Sequence, residues 1–167
     1  VIPIHVGRQL FVDDFLIDTS TLQRKYYYPE PYVGNPILKP QTKIEKNEGC
    51  CPVAATFTDG VFYDSKDGLY KMWYQAGWFD GTAYAESLDG QNWYRPDLDV
   101  VPGTNMVLPF RKGYKRDGAT VWIDHETKDP KSRYKLFVFF RKNEVEEIGE
   151  LYISSDGIHW NGPTITG

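Results

Sequence analysis

The sequence predicts an all-β protein, and three observations carry that expectation. Short runs rich in Val, Ile, Tyr, Phe and Trp fill the chain and read as strands. Turn signals built on Asp-Gly separate them, and no longer stretch keeps an apolar period of 3.6 residues. The order of the runs also repeats: "TFTDGVFYDSKDGLYKMWYQAGWFDGTAYAESLDGQNWYRP" from residue 56 has a second version from residue 115.

Taken in order, the expected strands begin with "QLFVDDFLI" at 9–17, where polar residues interrupt an apolar run. "VAATFT" and "GVFYD" come next, on either side of Asp59-Gly60. "LYKMWYQA" follows the turn "SKDG", and "TAYAES" follows the turn "FDG". The second version supplies "ATVWID", "YKLFVFF" and "ELYIS". Each version closes on a Ser-x-Asp-Gly turn and a tryptophan, Ser87–Gly90 with Trp93 and Ser154–Gly157 with Trp160. In such a turn the serine and aspartate bond neighbouring backbone groups and glycine takes the left-handed conformation, so the cluster is read as a fastener of outer strands. It occurs once per unit, which suits structure rather than catalysis. A unit of strand, turn, strand, turn, strand and fastening turn is the four-stranded blade of a β-propeller, with about two blades present. The divisions expected are 1–52 as an N-terminal strand and leader loop closing the propeller, 53–98 as blade one, 99–116 as a connection and 117–167 as blade two.

Composition removes several classes of function. The chain has 167 residues, enough for one domain with a core, and a net charge of −4 with its basic residues scattered, so no stripe is available for nucleic acid. No apolar run reaches the length of a membrane helix, and no membrane partner is expected. Val1 is read as an end from which a leader has been removed, either by the cell or in preparing the chain. Cys50 and Cys51 are adjacent and fit no zinc spacing, and His5, His125 and His159 are far apart, so no metal site is expected. Aromatic residues make up 16% of the chain, suiting both strands and sugar-stacking platforms.

The pieces "LFVDDFLI", "GNPILKP", "YKMWY" and "YAESLDGQNW", in that order, resemble the five-bladed β-propeller glycosidases, which include glycoside hydrolase families 32, 43 and 68 and the family 130 phosphorylases. Bacterial glycosyl hydrolase-like proteins that open with a strand like "QLFVDDFLI" are the nearest group. The fastening turn is also similar to the Asp-box of sialidases, though here glycine follows the aspartate directly and the tryptophan comes one residue early. The resemblance implies a secreted or periplasmic location and acid/base hydrolysis of glycosidic bonds in oligo- or polysaccharides by carboxylates around a central funnel. It places such carboxylates at Asp59 and Asp117, each followed by glycine where the families carry proline, and makes Arg116-Asp117-Gly118 similar to an Arg-Asp-Pro element that binds sugar hydroxyls. Asp13 and Asp14, inside the first expected strand, are further catalytic candidates.

Arg116, the loop aromatics Trp78 and Phe79, and Glu86, whose counterpart is the apolar Ile153, are candidate substrate-binding residues. The strand period places Asp59 and Asp117 on one face and in one cavity, and Asp59→Asn and Asp117→Asn are expected to abolish turnover in an intact parent protein without lowering its melting temperature. No cofactor is expected. The axial calcium of family 43 propellers is implied as a structural ion, without an identifiable ligand loop. The resemblance puts the general acid on a third blade, so these two blades alone should be inactive and need a second chain or a C-terminal half. A non-catalytic carbohydrate-binding or scaffold propeller and a glycoside phosphorylase, with Arg111, Lys112, Lys115 and Arg116 toward phosphate, stay open as alternatives.

Overall fold

The computed structural model describes residues 3–5, 7–143 and 145–167. They belong to two compact units that divide after Val33. The first unit has turns and bends but no strand among its described residues. The strand expected at 9–17 is therefore not formed, and Leu10, Phe11, Val12 and Phe15 are exposed. A strand needs a neighbour for its backbone groups, and the side chains at this point offer a local alternative. Asp13 Oδ1 accepts a hydrogen bond from the Phe15 amide at 3.0 Å, and the Asp14 carbonyl accepts one from the Ile17 amide at 3.0 Å, bending the chain instead.

The second unit is two antiparallel sheets. Sheet one contains β1 (Ala54–Ala55), β2 (Val61–Asp64), β3 (Leu69–Ala76), β4 (Gly81–Ser87) and β5 (Met106–Leu108). Both β1 and β2 pair with β3, so together they act as one first strand interrupted by the excursion Thr56–Gly60. Sheet two is a regular meander of β6 (Tyr114–Ile123), β7 (Tyr134–Lys142), β8 (Glu146–Ser154) and β9 (Asn161–Thr166). The stretch read as a connection thus carries β5, the last strand of sheet one, as well as the start of β6.

The repeat seen in the sequence is a repeat of register. Tyr70 pairs with Ser87 in sheet one, and Tyr134 with Ser154 in sheet two. From that rung, Trp73 opposite Tyr84 corresponds to Phe137 opposite Leu151, and Val61 opposite Met72 corresponds to Val121 opposite Leu136. The two fastening turns also match bond for bond: Ser87 Oγ accepts from the Gly90 amide and Ser154 Oγ from the Gly157 amide, both at 2.9 Å. Each aspartate then accepts from the two amides that follow its glycine. Trp93 and Trp160 are half-buried against different clusters, each one on the matching face of its own sheet.

The main core lies between the sheets. Trp73 and Tyr84 of sheet one meet Val121, Tyr134, Leu136 and Val138 of sheet two, and Trp73 donates its indole N–H to the Gly157 carbonyl at 2.7 Å. A buried ionic knot joins the sheets at Asp64, which takes Arg133 from just before β7, Lys71 from β3 and the Tyr134 hydroxyl. The Arg133 hydrogen bonds hold the Asp64 carboxyl well below the usual carboxylate range against the opposing effect of burial.

The far face of sheet one packs Met72, Tyr74 and Met106 beneath Leu38 and Ile44. Ile44 sits on α1 (Lys43–Lys46), a single turn closed by a capping box between Thr42 and Glu45. No helix among the described residues is long and apolar enough to cross a membrane.

Candidate functional site

One end of sheet one gathers most of the candidates. The β3–β4 hairpin turns through Gly77, Trp78, Phe79 and Asp80, and Gly77 and Phe79 both have positive φ. At Gly77 a side chain would collide with the Ile44 carbonyl, so glycine is required there. The turn projects Trp78 outward, 49% exposed, with Phe79 edge-on beside it at 4.7 Å between ring centroids. The Phe79 carbonyl accepts a hydrogen bond from the Arg116 amide at 3.2 Å, tying this hairpin to β6.

A β-bulge at Arg116/Gly118 leaves Asp117 without a cross-strand partner and sends the two neighbouring charges in different directions. Arg116 turns inward: Nε donates to Thr82 Oγ1 at 3.0 Å, Nη1 to Gln75 Oε1 at 3.3 Å, and Nη2 forms an ion pair with Asp59. Burial pulls this guanidinium down to about 10, which leaves it charged at neutral pH opposite the carboxylate. Asp117 instead meets the exposed Arg141 from β7, whose Nε and Nη2 donate to Oδ2 at 2.9 and 2.7 Å. The Arg141 guanidinium also stands 5.7 Å from the Phe79 ring centre. An aromatic pair, a cation and a partly exposed carboxylate thus form one continuous patch.

The shared cavity expected for Asp59 and Asp117 is not formed. Asp59 is 0% exposed, lies in the excursion between β1 and β2 rather than in a strand, and is held by Arg116. The alternation argument fails because both carboxylates sit at interruptions of their strands, where the period of two is lost. Because Asp59 is fully buried and ion-paired, Asp59→Asn is a core substitution that is expected to cost stability rather than spare it. Arg116, placed among the sugar-binding candidates, is buried beneath the patch.

The remaining candidates lie elsewhere. Glu86 is at the opposite end of β4, about 17 Å from Gly81 at the usual strand rise. It accepts from the Tyr84 hydroxyl at 3.3 Å and lines a cavity of about 390 Å³ with Leu69, Leu88 and Tyr94. Asp13 and Asp14 belong to the first unit, where Asp14 is ion-paired with Arg24.

Two residues at the patch escaped sequence reasoning. Arg141 had no motif around it and becomes visible only through its pairing opposite Lys115, beside the bulge. Asp80 was absorbed into a turn signal, yet it is half-buried against Gly77 and burial raises its pKa. No cluster of three or more His, Cys, Asp or Glu suited to a metal ion occurs among the described residues. The Cys50 and Cys51 thiols are free, 3.6 Å apart and exposed. Comparison with known proteins finds no family model that matches the chain, and no curated protein or solved structure significantly similar to it.

Proposed function

We propose that the chain is a carbohydrate-recognising part of a β-propeller of the five-bladed glycosidase type, its two sheets serving as successive blades, in a secreted or periplasmic protein. The matching registers and the face-to-face packing of the sheets support the blade reading. The observation that carries the sugar reading is the patch of Trp78, Phe79, Arg141 and Asp117. The apolar face of a pyranose stacks on an exposed aromatic ring, while a guanidinium and a carboxylate side by side donate to and accept from vicinal hydroxyls.

Recognition fits this geometry better than a complete acid/base pair, because Arg116 occupies Asp59 and leaves Asp117 as the accessible one of the two carboxylates. Asp80 favours hydrolysis as the second reading: a half-buried carboxyl with a raised pKa next to the aromatic pair is suited to hold a proton. Titration with xylo-, arabino-, manno- and cello-oligosaccharides, followed by tryptophan fluorescence and calorimetry, tests the proposal. At least one should bind, and Trp78→Ala should weaken it tenfold or more, which is about 1.4 kcal/mol. Silence across the set, or unchanged binding by Trp78→Ala, would overturn the reading. Product release that disappears in Asp80→Asn would establish the hydrolytic version.

A further inference from the structure

The repeat of register makes the outer face of sheet two a copy of a face that is already covered in sheet one. In sheet one, Phe62, Trp73 and Tyr84 share the face packed against sheet two. Their register counterparts are Trp122, Phe137 and Leu151, on the side of sheet two turned away from sheet one. Trp122 and Phe137 are 59% and 48% exposed, and Ile165 of β9, opposite Leu151, is 65% exposed. Lys135, on the same face, is neutralised by Asp124 at 2.6 Å, so no unpaired cation interrupts the apolar surface there. The surface that receives Phe62 and Trp73 within the chain is built on Val121 and Leu136.

The counterparts of those two residues are Val61 and Met72. Met72 is buried beneath Leu38, while Val61, Ile37 and Phe57 are exposed; together they line an open groove of about 620 Å³ on the far side of sheet one, and no charged side chain lines it. One outer side thus exposes the counterpart of the internal sheet-to-sheet face, and the other an apolar groove whose exposed part is built around Val61, the counterpart of Val121.

From this we infer that the chain associates head to tail with a second copy of itself. The Trp122–Phe137–Ile165 face of one copy seats on the Val61–Met72 groove of the next, continuing the stacking that already joins sheet one to sheet two. Such a contact is heterologous, because two different surfaces meet, and it propagates into a ring or an open chain rather than stopping at a twofold dimer. The inference stands on register and exposure and is independent of sugar binding.

Sedimentation velocity over a range of concentrations tests it with Phe137→Glu and Val61→Glu, both at exposed positions, after circular dichroism has checked their folding. The native chain should associate with rising concentration, and each variant alone should lose association. An equimolar mixture of the two should form a dimer that grows no further, because Phe137→Glu keeps an intact groove and Val61→Glu an intact face. Where either variant fails to fold, Trp122→Lys and Phe57→Lys replace them. A native chain that stays monomeric, a Val61→Glu variant that associates like the native chain, or a mixture that stays monomeric would each overturn the inference.

Discussion

At the scale of single residues, adjacent charges do different work. Arg116 and Asp117 are neighbours in sequence, yet the first is sealed in with Asp59 and the second faces outward to Arg141. Removing one member of a buried pair strands the other charge, whereas a half-exposed pair is screened by water. Asp59→Asn should therefore lower the unfolding free energy by about 3–5 kcal/mol, and Asp117→Asn by less than about 1 kcal/mol. Urea denaturation of the two variants checks the contrast, and equal losses would contradict it. The family resemblance marked Asp59 and Asp117, and loop aromatics marked Trp78 and Phe79, which is enough to find Asp117 and both rings of the patch. That Arg116 would occupy Asp59 was not legible, since the partner lies 57 positions away and a bulge of one residue decides which of two adjacent charges turns inward.

At the scale of elements, the two Ser-x-Asp-Gly turns look alike but carry different loads. Both glycines have positive φ, so alanine at either position suffers the left-handed penalty of about 1–2 kcal/mol. At Gly90 the nearest atoms to an added methyl are on the Tyr70 ring at 3.9 Å, an ordinary distance. At Gly157 the methyl would stand 2.6 Å from the Trp73 indole, whose N–H also bonds the Gly157 carbonyl. Gly157→Ala should consequently cost clearly more than Gly90→Ala, by about 1 kcal/mol or more on the scale of overpacking. Chemical denaturation of both variants decides it, and equal costs would mean that the turn moves away from Trp73 at no expense.

The long strands were readable from their apolar and aromatic composition and from the turns that bound them. The outermost ones were not: β5 has three residues, and β9 contains Gly162 and Pro163, which argue locally against a strand. The run at 9–17 misled in the opposite direction, because strand-like composition creates no strand without a neighbour to pair with.

At the scale of the whole molecule, His159 adds a titratable bridge between the sheets. One ring nitrogen lies 2.7 Å from Asp156 in its own turn, the other 2.8 Å from Asp99 in the loop that follows sheet one's fastening turn. These bonds, Asp156 first, raise the His159 pKa. Burial works against Asp156, but the His159 bonds and nearby amides bring it down to about 2. The histidine's contribution is complete below its unfolded value of about 6.5 and is lost as the pH rises through the raised folded value. The contribution of Asp156 is complete above about 4 and fades as the pH falls toward 2. Both are present between about pH 4 and 6.5. Comparing urea midpoints of the native chain and His159→Gln should show a difference that is largest in this window and shrinks on its alkaline side. A difference independent of pH would remove the ionic bridge.

The excursion Thr56–Gly60 has a further effect on how the molecule meets its neighbours. The Thr58 hydroxyl donates to the Ala119 carbonyl at 2.8 Å, and the Asp59 carbonyl accepts from the Val121 amide at 2.7 Å. With the Phe79 carbonyl on the Arg116 amide, these bonds occupy backbone groups along the open margin of β6 that would otherwise template a foreign strand. On the opposite margin, β9 carries Pro163, which offers no amide proton. Strand addition is thus discouraged at both ends of sheet two, a protection against amyloid-like growth that leaves its broad side available for contact between folded molecules.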